Sequence, residues 1–406
     1  MMRVMDNTHS ANQSGLPADG GIEPFEIHVP QADLDDLRAR LDRTRWPERE
    51  TVSDGRQGPP LKKLQALVEY WKDGYDWRRT EEFLNQAGQY RTTIDGLGIH
   101  FLHIRSAEPG AMPLLFTHGW PGSILEFREL IGPLTDPVAH GGNAGDAFHL
   151  VIPSLPGFGF SDKPENTGAE GTGWGVGRIA DAWIELMSRL GYEKWVAQGG
   201  DWGSAVTETI AWKAPAGLAG VHFNMSLVFP TPEEVAEATP EEQEMIAGAV
   251  RYDAELSAYA KQQSTRPQTI GYALTDSPAG LAAWIYYMFH GATDSDGDPE
   301  SLLGLDVMLD DISLYWLTDS AASSARLYWE GAQEAASQSM PAGPNPTPAG
   351  FSIFPKEALR ASRRWIEKRY ATVLHYNQLE HGGHFAALEQ PAALTDEIRS
   401  TFRSLR

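Results

Sequence analysis

One carboxylate in the run KWVAQGGDWGSAVTETIAW stands between small residues: Gly199, Gly200, Asp201, Trp202, Gly203. The apolar stretch Trp195-Val196-Ala197 precedes it, and an amphipathic helical pattern follows. Small residues two before and two after a reactive side chain mark a nucleophile elbow. In such an elbow a strained strand-to-helix turn lifts one side chain out of the sheet. Glycines are needed there because the backbones pack closely. A lifted carboxylate is nucleophilic without a base to deprotonate it. With an electrophilic sp³ carbon it gives an ester, so alkyl transfer suits it better than acyl transfer. The plainer alternative is a Gly-rich turn in which Asp201 caps a helix N-terminus.

An ester on Asp201 has to be cleared again, which calls for a base and an orienting acid later in the chain. Nucleophile, acid, histidine is the chain order of the α/β-hydrolase fold. Among 12 histidines, His384 lies in Glu380-His381-Gly382-Gly383-His384-Phe385, a glycine-loosened loop after the last strand pattern. His381 competes on spacing alone; the helix that starts just after His384 favours His384. Glu357 follows Phe354-Pro355-Lys356 at the end of the preceding strand pattern and is the candidate acid, with Asp310 and Asp311 as weaker alternatives. A lone Glu is otherwise a solvated surface residue. His118-Gly119-Trp120-Pro121 ends another strand pattern, so the backbone N–H groups of Trp120 and Trp202 are candidates for an oxyanion hole. The alternative is that both tryptophans are core aromatics.

The elements that must position these residues can be read in order. Ile22 to Val29 alternates, and Leu34, Leu37 and Leu41 form one helical stripe ended at Arg45-Trp46-Pro47. Further helices are expected from Leu61 to about Tyr75 and from Trp77 to Ala87. Tyr90 to Ile104 reads as two strands around the turn Asp95-Gly96-Leu97-Gly98. Buried strands are expected at Met112–Thr117, Phe148–Ile152, Trp195–Ala197 and Gly220–Asn224, alternating with helices. That is a mostly parallel α/β sheet, whose ligands gather at the carboxyl ends of the strands. From Thr231 the texture turns helical and aromatic; Thr231-Pro-Glu-Glu and Thr239-Pro-Glu-Glu each read as a helix start. The sheet resumes at Gly350–Pro355 and Ala371–His375, after a Pro-rich connector from Met340. The division expected is a tail at 1–21, a leader at 22–88, a first core part at 89–230, a helical lid at 231–340 and a second core part at 341–406.

Composition narrows the partners. The 406 residues carry 33 basic and 55 acidic side chains, a net charge of −22, which argues against nucleic acid and anionic membranes. No cysteine is present, so disulfides, thiolate metal sites and cysteine nucleophiles are excluded. The first residues contain no apolar core of signal-peptide length, and no window reaches membrane-spanning length, so a soluble cytoplasmic protein is expected. The sequence does not choose between a monomer and a homodimer.

The chain resembles the microsomal-type epoxide hydrolases, an α/β-hydrolase branch with its own N-terminal leader. HGWPGS and GGDWGS are similar to that family's oxyanion and nucleophile motifs, GGHFAALEQP to its histidine motif and FPKEAL to its acid position. PFEIHVPQADLDDLRARLDRTRWP resembles the leader, and the likeness runs from about 22 to 406. His381 stands where an Arg is more usual, and no counterpart of the animal members' membrane anchor is expected. The resemblance implies two lid tyrosines, Tyr259 in AYAKQQSTRPQTIG and Tyr328 in ARLYWEG, that hold and protonate an epoxide oxygen. Without it, Tyr252, Tyr272, Tyr286, Tyr287 and Tyr315 are equally available. It implies hydrolysis of a small apolar epoxide to a vicinal diol through an ester on Asp201, with water activated by His384 and Glu357. No metal or organic cofactor is needed. Trp284, Tyr286, Tyr287, Met288 and Phe289 are expected to line an apolar cavity or fill the lid core. Rival readings are a haloalkane or haloacid dehalogenase with the same Asp nucleophile, and a binding protein that has lost catalysis.

Overall fold

The computed structural model describes residues 20–165, 173–337 and 342–406. Most of the expected tail, and the junction of lid and connector around Met340, lie outside the described residues. The chain begins with β1 (Glu23–Pro24), followed by α1 (Gln31–Asp42), α2 (Leu61–Asp73) and α3 (Trp77–Gln86). The alternation from Ile22 to Val29 yields only two paired residues, because side chains of α3 take the backbone instead. Ile27 N–H donates to Asn85 Oδ1 at 2.8 Å, and Val29 N–H to Glu81 Oε2 at 2.7 Å. Leu34, Leu37 and Leu41 form the buried stripe of α1.

Strands β2 (Gln89–Ile94) and β3 (Leu97–Ile104) make a hairpin whose Asp95 and Gly96 have φ of 49° and 76°. That pair of positive angles matches the strand twist and suits Asp-Gly. Then follow β4 (Met112–Thr117), α4 (Arg128–Thr135), β5 (Phe148–Pro153), α5 (Val176–Arg189), β6 (Trp195–Gly199), α6 (Trp202–Lys213) and β7 (Leu218–Phe223). A helical region comes next: α7 (Pro232–Ala236), α8 (Pro240–Arg251), a π-helical turn at Tyr252–Leu256, α9 (Ala258–Thr265), α10 (Pro267–Asp276), α11 (Pro278–Ala292), α12 (Pro299–Leu303), α13 (Leu305–Leu317) and α14 (Ser320–Ser337). The chain ends with β8 (Ala349–Ile353), α15 (Arg363–Arg369), β9 (Val373–Gln378), α16 (Ala386–Glu389) and α17 (Pro391–Phe402).

The strands form one sheet in the order β1-β2-β3-β5-β4-β6-β7-β8-β9. Pairing is antiparallel up to β3–β5 and parallel from β5 to β9. Every residue of β5 and β6 is buried, as expected for strands covered by helices on both faces. The chain leaves β4 to one side for β5, then crosses back to β6 on the other. The reversal opens a crevice past the carboxyl ends of β4 and β6, where open α/β sheets place their ligands. Thr117 and Gly199, the last residues of these two neighbours, are paired in register.

Candidate active site

Asp201 stands in that crevice, between β6 and α6, with φ 51° and ψ −127°. This is left-handed territory that costs a non-glycine residue on the order of 1–3 kcal/mol. The strain is held by close packing: a Cβ on Gly203 would run into the Thr117 carbonyl, and one on Gly199 into the Gly203 carbonyl. Asp201 does not cap α6 with its side chain, so its carboxylate is free for other work.

The HGWP turn after β4 supplies the donor for that carboxylate. Trp120 N–H donates to Asp201 Oδ1 at 2.7 Å, and the nearby Trp202 N–H also favours the charged form of that carboxylate. His118 fixes the turn. Its Nε2 accepts from Leu155 N–H at 3.2 Å, so Nδ1 carries the proton and donates to Gly119 O at 3.0 Å. Burial lowers its pKa to about 4, which keeps that neutral tautomer at neutral pH. In sequence this histidine is only the residue that opens the turn; the structure adds that it joins two loops.

His384 Nε2 lies 3.5 Å from Asp201 Oδ2, and His384 Nδ1 lies 2.8 Å from Glu357 Oε2. Glu357 is 4% exposed, and its other oxygen accepts from Leu359 N–H at 3.1 Å. The three residues singled out in sequence as nucleophile, base and acid are thus brought together. His381 is exposed instead. Asp310 accepts from Tyr75, between α2 and α3, and from Thr80 of α3, and Asp311 is buried on the next position of α13. The loop that carries His384 hangs on the helical region: His384 N–H donates to Ala292 O at 2.9 Å, and Gly382 N–H to Asp294 Oδ2 at 2.9 Å.

Burial alone would depress the His384 pKa; the charge and hydrogen bond of Glu357, with the charge of Asp201, lift it to about 10. Asp201 is pushed up by burial, against the pull of His384 and the two tryptophan N–H groups. Its side chain is 18% exposed, and it lines an internal cavity. In the resting site His384 is therefore an imidazolium beside a carboxylate.

Two phenols approach from the helical region. The Trp120 ring stacks on Tyr259 with centroids 4.8 Å apart, and Tyr328 meets the Trp202 ring edge-on at 4.9 Å. Tyr259 and Tyr328 are 2% and 6% exposed. Burial first, then neighbouring charges including Asp201, drives both well above the usual tyrosine pKa, so both keep their protons. Tyr259 Oη bonds Tyr252 Oη at 2.9 Å, whereas Tyr328 Oη is buried without a hydrogen-bond partner. Tyr252 was one of several undistinguished tyrosines in sequence. Its spacing of seven from Tyr259, two helical turns, was the available signal. Tyr286, Met288 and Phe289 belong to the core of the helical region, buried to 0–1%, while Trp284 and Tyr287 are half-buried.

Residues 22–127 match the family model described as epoxide hydrolase N terminus, and residues 112–274 the one described as alpha/beta hydrolase fold. A protein of Stigmatella aurantiaca carrying a provisional epoxide hydrolase name is 58% identical over 95% of this chain and 86% of its own length. Epoxide hydrolase 1 of Sus scrofa is 34% identical over 94% of this chain and 88% of its own. The structure is similar to that of Aspergillus niger epoxide hydrolase, with TM-score 0.83, 31% identity, and 96% and 99% of the two chains covered. It is similar also to the juvenile hormone epoxide hydrolase of the silkworm Bombyx mori, with TM-score 0.84, 30% identity, and 95% and 96% covered.

Proposed function

The chain belongs to the epoxide hydrolases of the α/β-hydrolase fold, which hydrolyse an ether bond in a strained ring, and from that premise we propose how its own residues divide the work. Asp201 Oδ2 attacks a ring carbon, and the C–O bond breaks. Tyr328 and Tyr259 donate hydrogen bonds to the departing oxygen, and one of them gives it a proton. The product is a hydroxyalkyl ester of Asp201. His384, oriented by Glu357, then takes a proton from water, and the hydroxide attacks the ester carbonyl carbon. The N–H groups of Trp120 and Trp202 hold the tetrahedral oxyanion. The acyl C–O bond breaks, the leaving alkoxide takes the proton of the re-formed Asp201 carboxyl group, and a vicinal diol leaves with one oxygen that belonged to Asp201.

The observation that carries this reading is the 2.7 Å hydrogen bond from Trp120 N–H to Asp201 Oδ1. An oxyanion donor already holds the nucleophile's own carboxylate. The tetrahedral centre it favours is therefore built on the Asp201 carboxyl carbon, not on an acyl group of the substrate. The substrate class we infer is a small apolar aryl or alkyl epoxide, from the aromatic wall of Trp120, Tyr259 and Tyr328. Residues 22–88 serve as the leader and 231–340 as the lid in this scheme. Among the described residues no helix is long and apolar enough to cross a membrane. A cytoplasmic location and a homodimer remain parts of the reading that fractionation and light scattering test.

A single turnover in ¹⁸O-water tests the ester. The diol of the first turnover should carry an unlabelled Asp201 oxygen, with label found in Asp201. Label in that first diol means direct attack by water and overturns the scheme. In His384→Gln the ester should persist as a mass increase located on Asp201.

A further inference from the structure

Behind Asp201, a cavity leaves about 20 Å³ for the centre of a water molecule, enough for one. Asp201, His384 and Glu126 line it; Tyr259 and Tyr328 do not. It is shared by the nucleophile and the base and not by the two phenols that receive the epoxide, which associates it with the hydrolytic half of the reaction. Glu126 sits on the single 3-10 turn Ile124–Phe127 that follows the HGWPG segment, and Ser123 caps that turn by accepting from Leu125 N–H at 3.2 Å. The Glu126 carboxyl folds back over Gly122, into the space a Cβ on Gly122 would fill. The side chain is thus aimed by its own turn, and the glycine before it makes the room. Burial pushes its pKa well up, the charges of Asp311 and Asp201 add to that, and His384 and the Ser123 backbone pull the other way, so the balance favours the neutral carboxyl group. A neutral carboxyl group offers one donor and one acceptor, which is what a fixed water needs.

A second cavity, about 40 Å³ for water centres, shares Glu126 and Phe385 with the first and is lined by Arg128, Glu129 and Asp311. Glu129 is exposed, so the lining of this cavity runs from a surface residue to Glu126. Asp311, 4% exposed, has no hydrogen-bond partner on either carboxyl oxygen, and burial raises it to about 8. Two polar groups with spare hydrogen-bonding capacity thus mark the path.

We propose that Glu126 is a positioning residue for the second half-reaction: with His384 it holds the attacking water beneath the Asp201 ester, and the neighbouring cavity is the route by which that water is replaced. The inference rests on the ester reading above. Glu126 gains and loses no proton; the water's proton goes to His384, and its oxygen to the Asp201 carbonyl carbon.

The test separates the two half-reactions by stopped-flow tryptophan fluorescence and intact mass, with styrene oxide as probe. In Glu126→Leu, ester formation should stay within about threefold of wild type, while ester hydrolysis slows about tenfold or more and the ester accumulates. Glu126→Gln, which keeps a neutral donor and acceptor, should recover most of the hydrolysis rate. Gly122→Ala keeps the carboxyl but displaces it, and should reproduce the Leu defect if the Leu variant does not fold. Wild-type ester hydrolysis in Glu126→Leu or in Gly122→Ala overturns the proposal. So does equal slowing of both steps, which marks a structural role. An ester that never forms in His384→Gln is a different failure, that of the ester reading itself.

Discussion

Asp201 and His384 hold each other in the charged state, and the reaction uses that bond up. While Asp201 is a carboxylate, its charge and that of Glu357 keep His384 protonated to about pH 10. Alkylation turns the carboxylate into a neutral ester, and one of the two charges is gone. The imidazole pKa must fall, and the imidazolium proton passes to the phenolate left when the tyrosine protonated the epoxide oxygen, which makes His384 a base at the moment a base is required. Hydrolysis restores the carboxylate and the imidazolium together, so the cycle closes in protons. NMR titration of the imidazole nitrogens should give a lower His384 pKa in Asp201→Asn, its identity checked by mass, than in wild type; an equal value refutes the coupling. For stability the sign is that of a raised histidine. Its contribution is fully present below the unfolded value of about 6.5, and is lost as pH rises toward the folded value of about 10. Tyr328 offers a second prediction, because its buried hydroxyl has no partner. Tyr328→Phe should lower kcat/KM about 10²-fold yet leave the chemical denaturation midpoint unchanged or raised, since it removes an unsatisfied buried group. A fall in both would mean the hydroxyl is structural. Asp201, His384 and Glu357 were legible in sequence because each sits at a strand end with a local pattern around it. Tyr259 and Tyr328 came only through resemblance, since a tyrosine in a helix has no such pattern. His118, Tyr252 and Glu126 act through contacts between distant segments, which spacing along the chain does not record.

The two Thr-Pro-Glu-Glu segments behave alike as elements. In α7 and α8 the threonine caps N3 and the N3 glutamate returns the bond to the threonine N–H. The same glutamates then reach α15: Arg369 Nη2 bonds Glu234 Oε2 at 2.7 Å, and Arg364 Nη2 bonds Glu242 Oε2 at 2.8 Å. The start of the helical region is thereby riveted twice to the helix between β8 and β9. Arg369 holds Glu234 at about 2, and Glu242, despite burial that opposes it, is held at about 2 by Arg364 and Ser362. A depressed carboxylate contributes stability above its unfolded pKa and loses it as pH falls. Glu242→Gln should therefore lower the urea midpoint at pH 7, and the deficit should shrink between about pH 4.5 and about pH 2, the folded value. A deficit constant across that range would sink the ionic account. Thr239→Ala should cost about 1 kcal/mol in the same experiment. Both helix starts were legible because Thr-Pro opens a helix by local chemistry alone. Their anchoring to Arg364 and Arg369, more than a hundred residues away, was not. Likewise the buried runs of β4, β5 and β6 announced a parallel sheet, whereas β1 dwindled to two residues once Asn85 and Glu81 took its backbone partners.

At the scale of the whole molecule, the N-terminal helices grip the helical region that supplies the phenols. Trp71 Nε1–H donates to Ser313 Oγ at 2.8 Å, Tyr75 Oη to Asp310 Oδ1 at 2.8 Å and Tyr70 Oη to Asp306 Oδ1 at 2.9 Å, and Thr80 also bonds Asp310. Lys63 adds ion pairs to Asp298 and Glu300, both at 2.8 Å. All these acceptors lie on α13 or just before it. That helix leads into α14, which carries Tyr328, and its Tyr315 Oη donates to Gly122 O at 2.8 Å, next to the turn that positions Trp120. The leader thus steadies one helix that touches both the phenol side and the oxyanion side of the site. Asp310→Ala should leave Tyr75 and Thr80 without their buried acceptor, at about 1–3 kcal/mol of stability. It should also lower kcat/KM about tenfold, because a small displacement of α13 misaligns groups it never touches itself. Tyr75→Phe, which leaves Asp310 its bond to Thr80 and its ion pair with Arg128 at 3.4 Å, should cost less in both respects. Thermal denaturation and steady-state kinetics on the two variants read the outcome. Lost stability with unchanged kcat/KM in Asp310→Ala would reduce the leader to a clamp with no bearing on the chemistry.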